Sequence, residues 1–96
     1  MKQKVAVADS ITTIRYMHFA GDLPSATDIL LEGFRVQKLV GLDRLVLQDG
    51  NEIPLPCLVE LQKSLGIKEG DAVEVTGKYY CGTISDFLNV YEIEKI

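Results

Sequence analysis

Residues 65–80, "LGIKEGDAVEVTGKYY", contain the junction on which the fold prediction depends. Leu65 ends an apolar stripe, and Gly66 is placed to stop a helix because glycine accepts the left-handed conformation common at helix ends. Residues 67–71 then turn the chain, and residues 72–80 alternate apolar and polar side chains as a half-buried strand does. The stretch therefore predicts a helix followed by a β-strand.

A helix of about three turns is predicted immediately upstream, from Pro56 or Cys57 to Leu65. Pro56 suits the first turn of a helix, where its missing N–H leaves no hydrogen bond unmade. Leu58, Leu61 and Leu65 follow at i, i+3 and i+7 and would share one face. The spacing predicts an amphipathic helix that packs its apolar face on a core.

Further segments predict strands because each is short, rich in apolar or β-branched residues and bounded by turn residues. They are residues 29–40, 44–48, 52–55 and 87–96. Gly33, inside the first of them, predicts a bulge or a sharp bend. Asp49 and Gly50 predict a tight hairpin turn, since both residues tolerate a positive φ. Pro54 cannot donate a ladder hydrogen bond, so its strand is expected either to lie at an edge or to end quickly.

Residues 1–28 differ from the rest and are interpreted as an N-terminal extension without a firm secondary structure. Residues 4–10, "KVAVADS", are compatible with a short strand. Ile11, Ile14 and His18 have helical spacing, but the β-branched residues among them weaken the prediction of a helix.

The composition is that of one globular domain with a formal net charge of −4. No apolar run approaches the roughly 20 residues that cross a bilayer, and no secretory signal is recognisable at the N-terminus. We therefore expect a cytoplasmic protein, or a nuclear one in a eukaryote. Nucleic-acid-binding proteins usually carry a basic surface, so the acidic balance favours a protein partner.

The cysteines and the histidine predict no metal site. Cys57 and Cys81 do not form a C-x-x-C pair, and His18 is the one histidine of the chain. In a reducing compartment two thiols are favoured over a disulfide. We expect no cofactor.

The order of the predicted elements, β-β-β-α-β-β over residues 29–96, carries a family resemblance. The segments are "LLEGFRV" with its glycine, "RLVLQDGNEIPL" as a hairpin, the helix, and "GDAVEVTGKYY" with "NVYEIEKI" as the last two strands. This part of the chain resembles the OB-fold domains of replication protein A subunits, related single-strand-binding proteins and some anticodon-binding domains. The resemblance implies a mainly β protein. It would be a five-stranded OB-fold barrel with one short helix between its third and fourth strands, preceded by the extension 1–28.

A second resemblance covers residues 51–75, "NEIPLPCLVELQKSLGIKEGDAVEV". They are similar to the swapped-hairpin transcription factors typified by AbrB and MazE, which would imply a dimer bound to duplex DNA. Against it, the predicted helix offers only Lys63 for DNA, and residues 29–40 would have no role. The OB-fold interpretation is preferred.

Catalytic patterns are missing from the sequence. His18 stands alone between Met17 and Phe19, and no serine has the surroundings of a nucleophile elbow. Residues 41–50, "GLDRLVLQDG", lack the spacing of a phosphate-binding glycine loop. We expect that the protein is not an enzyme.

The OB-fold resemblance implies a ligand-binding face on the second and third strands, where cations hold phosphates and aromatic rings stack on bases. Strand alternation directs one basic and aromatic set outward, with Phe34 and Tyr79 in the core. The predicted site residues are Arg35, Lys38, Arg44, Lys78, Tyr80, Tyr91 and Lys95. Glu74, Glu92 and Glu94 stand near this face and would repel phosphates.

Three hypotheses follow. The first is a non-catalytic protein that binds single-stranded nucleic acid as an accessory subunit of a complex. The second is an OB-fold module that binds a protein partner or a second copy and no nucleic acid. The third is the swapped-hairpin dimer. In the second, the extension docks through its apolar residues or, alternatively, plugs one end of its own barrel; these residues are Ile11, Ile14, Tyr16, Met17 and Phe19.

Overall fold

The computed structural model describes residues 6–21, 23–24, 26–41, 43–82 and 84–96. Within these ranges the chain forms strands, one α-helix and one short 3₁₀ helix. In chain order they are β1 (Ala6–Ala8), α1 (Ile11–Phe19), β2 (Thr27–Leu39), β3 (Arg44–Gln48), β4 (Pro54–Leu58), the 3₁₀ helix (Leu61–Ser64), β5 (Ala72–Tyr80) and β6 (Phe87–Lys95). None of the helices described is long and apolar enough to cross a membrane.

The strands β2 to β6 close into a barrel. Strand β2 pairs with β3, β3 with β4, β4 with β6, β6 with β5, and β5 pairs back with β2. These pairings are antiparallel except for the short parallel contact between β4 and β6. Strand β1 lies outside the ring, parallel to the first half of β2. The prediction of a mainly β, five-stranded barrel is confirmed. The swapped-hairpin alternative is wrong, because residues 51–75 contribute to a barrel closed within one chain.

Strand β2 bends around the barrel at the predicted glycine. Leu31 pairs with Val75 and Phe34 with Val73, so two residues of β2 stand opposite one residue of β5. Gly33 has a φ of +77°, which glycine adopts without steric cost. The extra residue restores the alternation that points Phe34 inward, and the predicted bulge is confirmed.

The barrel interior is filled by alternate side chains of the strands. Phe34 and Tyr79 are fully buried, as predicted. The other large side chains that are fully buried are Ile14, Ile29, Leu31, Leu45, Leu47, Leu55, Leu88, Val36, Val73 and Val75. Ile14 comes from α1, so the N-terminal helix shares the core of the barrel.

The N-terminal helix forms despite its β-branched residues. Ser10 caps it, because the Ser10 Oγ accepts a hydrogen bond from the Thr13 N–H at 3.1 Å. Ile11 and Ile14 are buried, and this packing outweighs their weaker helix propensity. The short strand expected within residues 4–10 is observed at Ala6–Ala8, while residues 4 and 5 lie outside the described part.

A short helix does lie between the third and fourth strands of the barrel, as predicted, but its predicted bounds, Pro56 to Leu65, are wrong. Residues up to Leu58 belong to strand β4, and only Leu61–Ser64 form a short 3₁₀ helix. Leu55 and Cys57 point into the barrel, so the burial follows the period of a strand. In this segment the pairing of β4 with β3 and β6, which closes the barrel, determines the structure despite the helical spacing of the leucines.

The prolines of β4 fit this strand because of the edge they face. The Val59 N–H donates to the Asp43 carbonyl, so odd-numbered N–H groups point toward β3. Pro54 and Pro56 are even-numbered, and β4 pairs with β6 only at Cys57 and Leu58. Their missing N–H groups therefore cost no ladder hydrogen bond. The expected edge position of Pro54 is not observed, because β4 lies between β3 and β6 in the closed ring.

The β3–β4 turn differs from the tight turn predicted at Asp49 and Gly50. The positive φ, +64°, belongs to Glu52, while Gly50 has no positive φ. The Glu52 N–H donates to the Asp49 carbonyl at 3.0 Å, and the Asp49 N–H donates to the Ile53 carbonyl at 3.3 Å. The turn is therefore longer than expected, and β4 begins at Pro54 rather than at Glu52.

Candidate nucleic-acid interface

A groove of about 400 Å³ lies over β3 and β4 at the end of the barrel near the β2–β3 turn. Two cationic side chains stand at its border, and its surface is otherwise mostly apolar. The lining residues are Lys38, Val40, Arg44, Leu45, Val46, Pro56, Cys57, Leu58 and Phe87. This is the face on which OB-fold barrels bind oligonucleotides.

Strand register arranges the groove residues into a row that crosses the barrel wall. Lys38 pairs with Val46, and Val46 pairs with Pro56. Phe87 lies beside Pro56, because the following residues of the two strands, Cys57 and Leu88, pair in parallel. Phe87 in turn pairs with Tyr80, and their ring centroids are 5.9 Å apart. We call this row the aromatic row; it consists of Lys38, Val46, Pro56, Phe87 and Tyr80.

A second row runs beside the first, two residues farther along each of four strands, at a distance of about 6.6 Å. Arg44 pairs with Leu58, Leu58 with Asn89, and Asn89 with Lys78. We call these four residues the cationic row, because Arg44 and Lys78 stand at its two ends. Of the predicted site residues, Lys38 and Arg44 line the groove. Lys78 and Tyr80 lie on the same two rows but on β5, farther around the closed barrel and outside the groove lining.

A bulge turns Lys38 outward. Val36 pairs with Leu47 and Lys38 with Val46, so Gln37 is an extra residue in β2. Gln37 and Lys38 are both exposed as a result. Among the described residues, no carboxylate lies within ion-pair distance of Lys38 or Arg44. Both cations are therefore available to an anionic ligand.

Arg35 and Lys95 do not line the groove. The Arg35 Nη1 donates to the Gly70 carbonyl at 3.3 Å. The Lys95 Nζ lies 3.7 Å from the Asp71 Oδ1, so its charge already has a partner. Both contacts are made to the turn before β5, and both side chains are absent from the groove lining.

Tyr91 is the extra residue of a bulge in β6, because Thr76 pairs with Glu92 and Gly77 with Val90. Its phenol donates to the Asp28 Oδ1 at 3.2 Å. Partial desolvation, and after it the hydrogen bond to Asp28, raises the pKa of Tyr91. Tyr91 lies next to the cationic row without belonging to the groove.

The predicted docking residues divide into two groups. Ile11 and Ile14 are buried in the core, and Met17 packs partly against it. Tyr16 and Phe19 project from α1 into solvent. Only the latter two offer a surface to a partner in this conformation.

Three residues that matter for the site are missing from the predicted set. Phe87 contributes the aromatic face of the groove. Its pairing with Tyr80 in the last hairpin could have identified it as a site residue. Asp49 and Asp86 are the buried carboxylates, and each joins segments far apart in sequence. No local pattern in the sequence indicates such partners.

The two cysteines have different surroundings. Cys57 is buried under the groove, and desolvation raises the pKa of its thiol to about 12. Cys81 is partly buried, and desolvation followed by the Asp86 charge raises its pKa as well. Neither thiol is activated as a nucleophile. Among the described residues, no group of three or more His, Cys, Asp or Glu is arranged to hold a metal ion.

Comparisons with known proteins support the fold. No protein-family model and no curated protein matches the chain. A solved structure, that of the hypothetical protein ygiW from E. coli, is similar with a TM-score of 0.68 and 16% sequence identity, covering 99% of this chain and 100% of that one. At this identity the similarity establishes an OB-like β-barrel. The finer resemblance to replication protein A and single-strand-binding proteins stays a prediction.

Proposed function

We propose that this protein binds single-stranded nucleic acid across the groove, as a small non-catalytic accessory subunit of a larger complex. The observation that carries the proposal is the presence in one groove of two cations, Lys38 and Arg44, which have no carboxylate partner among the described residues, together with the ring of Phe87. The Phe87 ring contacts that of Tyr80 at the margin of the groove. Cations provide the salt-dependent affinity for phosphates, and aromatic rings stack on bases.

The groove offers both kinds of group that a single strand needs. Lys38 and Arg44 would hold phosphates, while bases lie on Phe87 and on the Tyr80 ring that contacts it. A duplex keeps its bases stacked inside and would leave these rings unused, so the arrangement favours single strands.

The acidic balance of the chain limits the affinity that this face provides alone. Two cations line the groove, and the net charge is −4. Long-range attraction of nucleic acid is weak for such a protein. A partner that adds binding surface would compensate, which is why the proposal assigns the protein to a complex.

The proposal is tested by fluorescence anisotropy with labelled single-stranded and duplex oligonucleotides at about 50 mM and about 200 mM salt. We expect single-strand binding that weakens with salt. Lys38→Ala and Arg44→Ala should each lower the affinity about fivefold and reduce the slope of log K against log salt by about 0.7. Lys95→Ala is the matched control, because it removes the same charge at an ion pair outside the groove.

Equal losses for Lys38→Ala and Lys95→Ala would show that only net charge matters and would overturn the assignment of the groove. Preference for the duplex would contradict the stacking argument.

A second candidate function is a protein-interaction module without nucleic-acid binding. The exposure of Tyr16 and Phe19 on α1 favours it. If the folded protein binds neither the single-stranded nor the duplex oligonucleotide, this alternative is favoured.

A further inference from the structure

A second cleft, of about 330 Å³, separates α1 from the loop between β5 and β6. It is lined by Arg15, His18, Phe19, Cys81, Gly82 and Asp86. The most exposed large apolar side chains of the described residues belong to the two segments that form it: Ile84 in the loop at 95%, and Phe19 at 87% and Tyr16 at 75% on α1. Of these, Phe19 lines the cleft itself. Single exposed apolar side chains are ordinary on a protein surface, whereas a cluster of them indicates an interaction site.

Asp86 holds the two walls of this cleft together. Its side chain is buried, and its Oδ2 lies 3.4 Å from the Arg15 Nε of α1. The same oxygen accepts a hydrogen bond from the Tyr79 hydroxyl at 2.5 Å, and its Oδ1 accepts one from the Gly82 N–H at 3.2 Å. Helix and loop are therefore fixed relative to each other, and a ligand would meet a pre-formed cleft.

The charges of the cleft are unusual for this acidic chain. Its one carboxylate, Asp86, is buried and already bound, and none of its lining residues carries an exposed carboxylate. Arg15 is half-exposed, so its guanidinium can still donate outward. The His18 Nδ1 donates to the Leu23 carbonyl at 2.8 Å.

We propose that this cleft docks an acidic amphipathic segment of a partner protein. An apolar side chain of the segment would lie between Phe19 and Ile84, and a carboxylate would bind the Arg15 guanidinium, a pairing that favours Arg for its planar donor geometry. The proposal gives the accessory-subunit part of the proposed function a surface and a partner chemistry. It does not depend on nucleic-acid binding, because the cleft and the groove share no lining residue.

The test uses the full chain and a fluorescein-labelled peptide of about twelve residues in which Glu and Asp alternate with Leu and Phe, about three turns if helical. A second peptide carries Lys at every acidic position. We expect the acidic peptide to bind and to shift the amide resonances of residues 15–19 and 81–86 in ¹⁵N spectra. Phe19→Ala and Ile84→Ala should each weaken binding about tenfold, as truncation of a central apolar contact does.

Leu65→Ala is the matched control, since Leu65 is a similarly exposed apolar residue on another part of the surface. It should leave peptide affinity unchanged, and all three variants should keep the melting temperature of the parent. Equal binding of the lysine peptide, no binding of the acidic one, or shifts confined to other residues would overturn the proposal. So would a dimer that Phe19→Ala dissociates, because the occupant would then be a second copy.

The nucleic-acid proposal and the peptide-docking proposal can be disproved independently of each other. Lys38→Ala and Arg44→Ala should bind the acidic peptide like the parent, and Phe19→Ala should bind oligonucleotides like the parent. An oligonucleotide that displaces the peptide from the cleft would contradict the assignment of this surface to a protein.

Discussion

At the scale of single residues, Asp49 links the β3–β4 turn to the N-terminal helix. Its buried carboxylate accepts hydrogen bonds from the Asn51 and Ile53 N–H groups at 2.9 and 3.0 Å through Oδ1. Its Oδ2 accepts one from the Ile11 N–H at 2.8 Å. The last contact satisfies a donor in the first turn of α1, where a negative charge is also favourable for the helix dipole. One side chain thus shapes the turn and seats the helix on the barrel.

We expect Asp49→Asn to lower the free energy of unfolding by about 2 kcal/mol and the melting temperature by about 10 °C. The amide has one oxygen in place of two and would direct its NH₂ group at an N–H donor. Circular dichroism during thermal unfolding measures the change, and hydrogen exchange of the α1 amides should accelerate. Asp43→Asn is the control, because Asp43 is exposed and its side chain has no hydrogen bond with the described residues. Equal stability of the two variants would contradict the role of Asp49.

The face of the strand on which a side chain lies could be predicted from the sequence, whereas the contacts of the buried carboxylates could not. The alternation of apolar side chains placed Phe34 and Tyr79 in the core and Arg44 outside, because the strand period decides which face a residue takes. Lys38 is outside because of the bulge at Gln37, which the alternation does not predict. From the sequence, Asp49 is predicted only to be a turn residue. Its contact with Ile11 spans 38 positions, so only the folded chain reveals it.

At the scale of elements, the β5–β6 hairpin depends on a close approach of two backbones. Gly77 is buried at the bulge that leaves Tyr91 as the extra residue of β6. A Cβ at Gly77 would lie 2.4 Å from the Asn89 carbonyl oxygen. Since that oxygen belongs to the backbone, the strands would have to separate, and the rows that contain Asn89, Lys78 and Tyr80 would shift with them.

Gly77→Ala is expected to destabilise the protein by about 2 kcal/mol, the usual cost of overpacking a site that cannot relax. Urea unfolding followed by tyrosine fluorescence gives the measurement. Gly50→Ala is the matched control, because Gly50 has no positive φ and open space at its Cβ position. That substitution should be neutral or slightly stabilising, since alanine restricts the unfolded chain. If the two variants unfold at the same urea concentration, the steric argument is wrong.

The strands of the barrel were predictable and the helix was not. Residues 44–48 and 72–80 form strands as predicted. Their apolar and polar side chains alternate, and this pattern fits a strand and not a helix. Between them, Leu58 and Leu65 fit a helical spacing while Leu55 and Cys57 fit a strand, and a short apolar run satisfies both periods. Pairing with β3 decides for the strand, and pairing is a long-range property. For the same reason the predicted site is divided, with Arg35 and Lys95 held by the turn before β5.

At the scale of the whole molecule, two of the acidic residues that counted against nucleic-acid binding, Glu74 and Glu94, lie at the far end of the hairpin. Glu92 is nearer, because it pairs with Thr76. Glu74 precedes Lys78 by four residues and Tyr80 by six, which correspond to about 13 Å and about 20 Å along a strand. The Debye length at physiological salt is about 8 Å, so repulsion between this end and a ligand on the two rows is largely screened. Glu74 and Glu94 therefore contribute less repulsion at the groove than the net charge of the chain suggests.

The acidic end carries a stability cost of its own, because Glu74 pairs directly with Glu94 across the β5–β6 ladder. Like charges opposite each other on a sheet destabilise it, so Glu74→Gln should raise the free energy of unfolding by about 0.5 kcal/mol at low salt. The gain should vanish at about 1 M NaCl, where the Debye length is about 3 Å. Urea unfolding at the two salt concentrations measures the difference. Glu52→Gln removes the same charge at an exposed turn residue and controls for the change in net charge. A gain for Glu74→Gln that persists in high salt, or an equal gain for Glu52→Gln, would show that the pair with Glu94 is not its source.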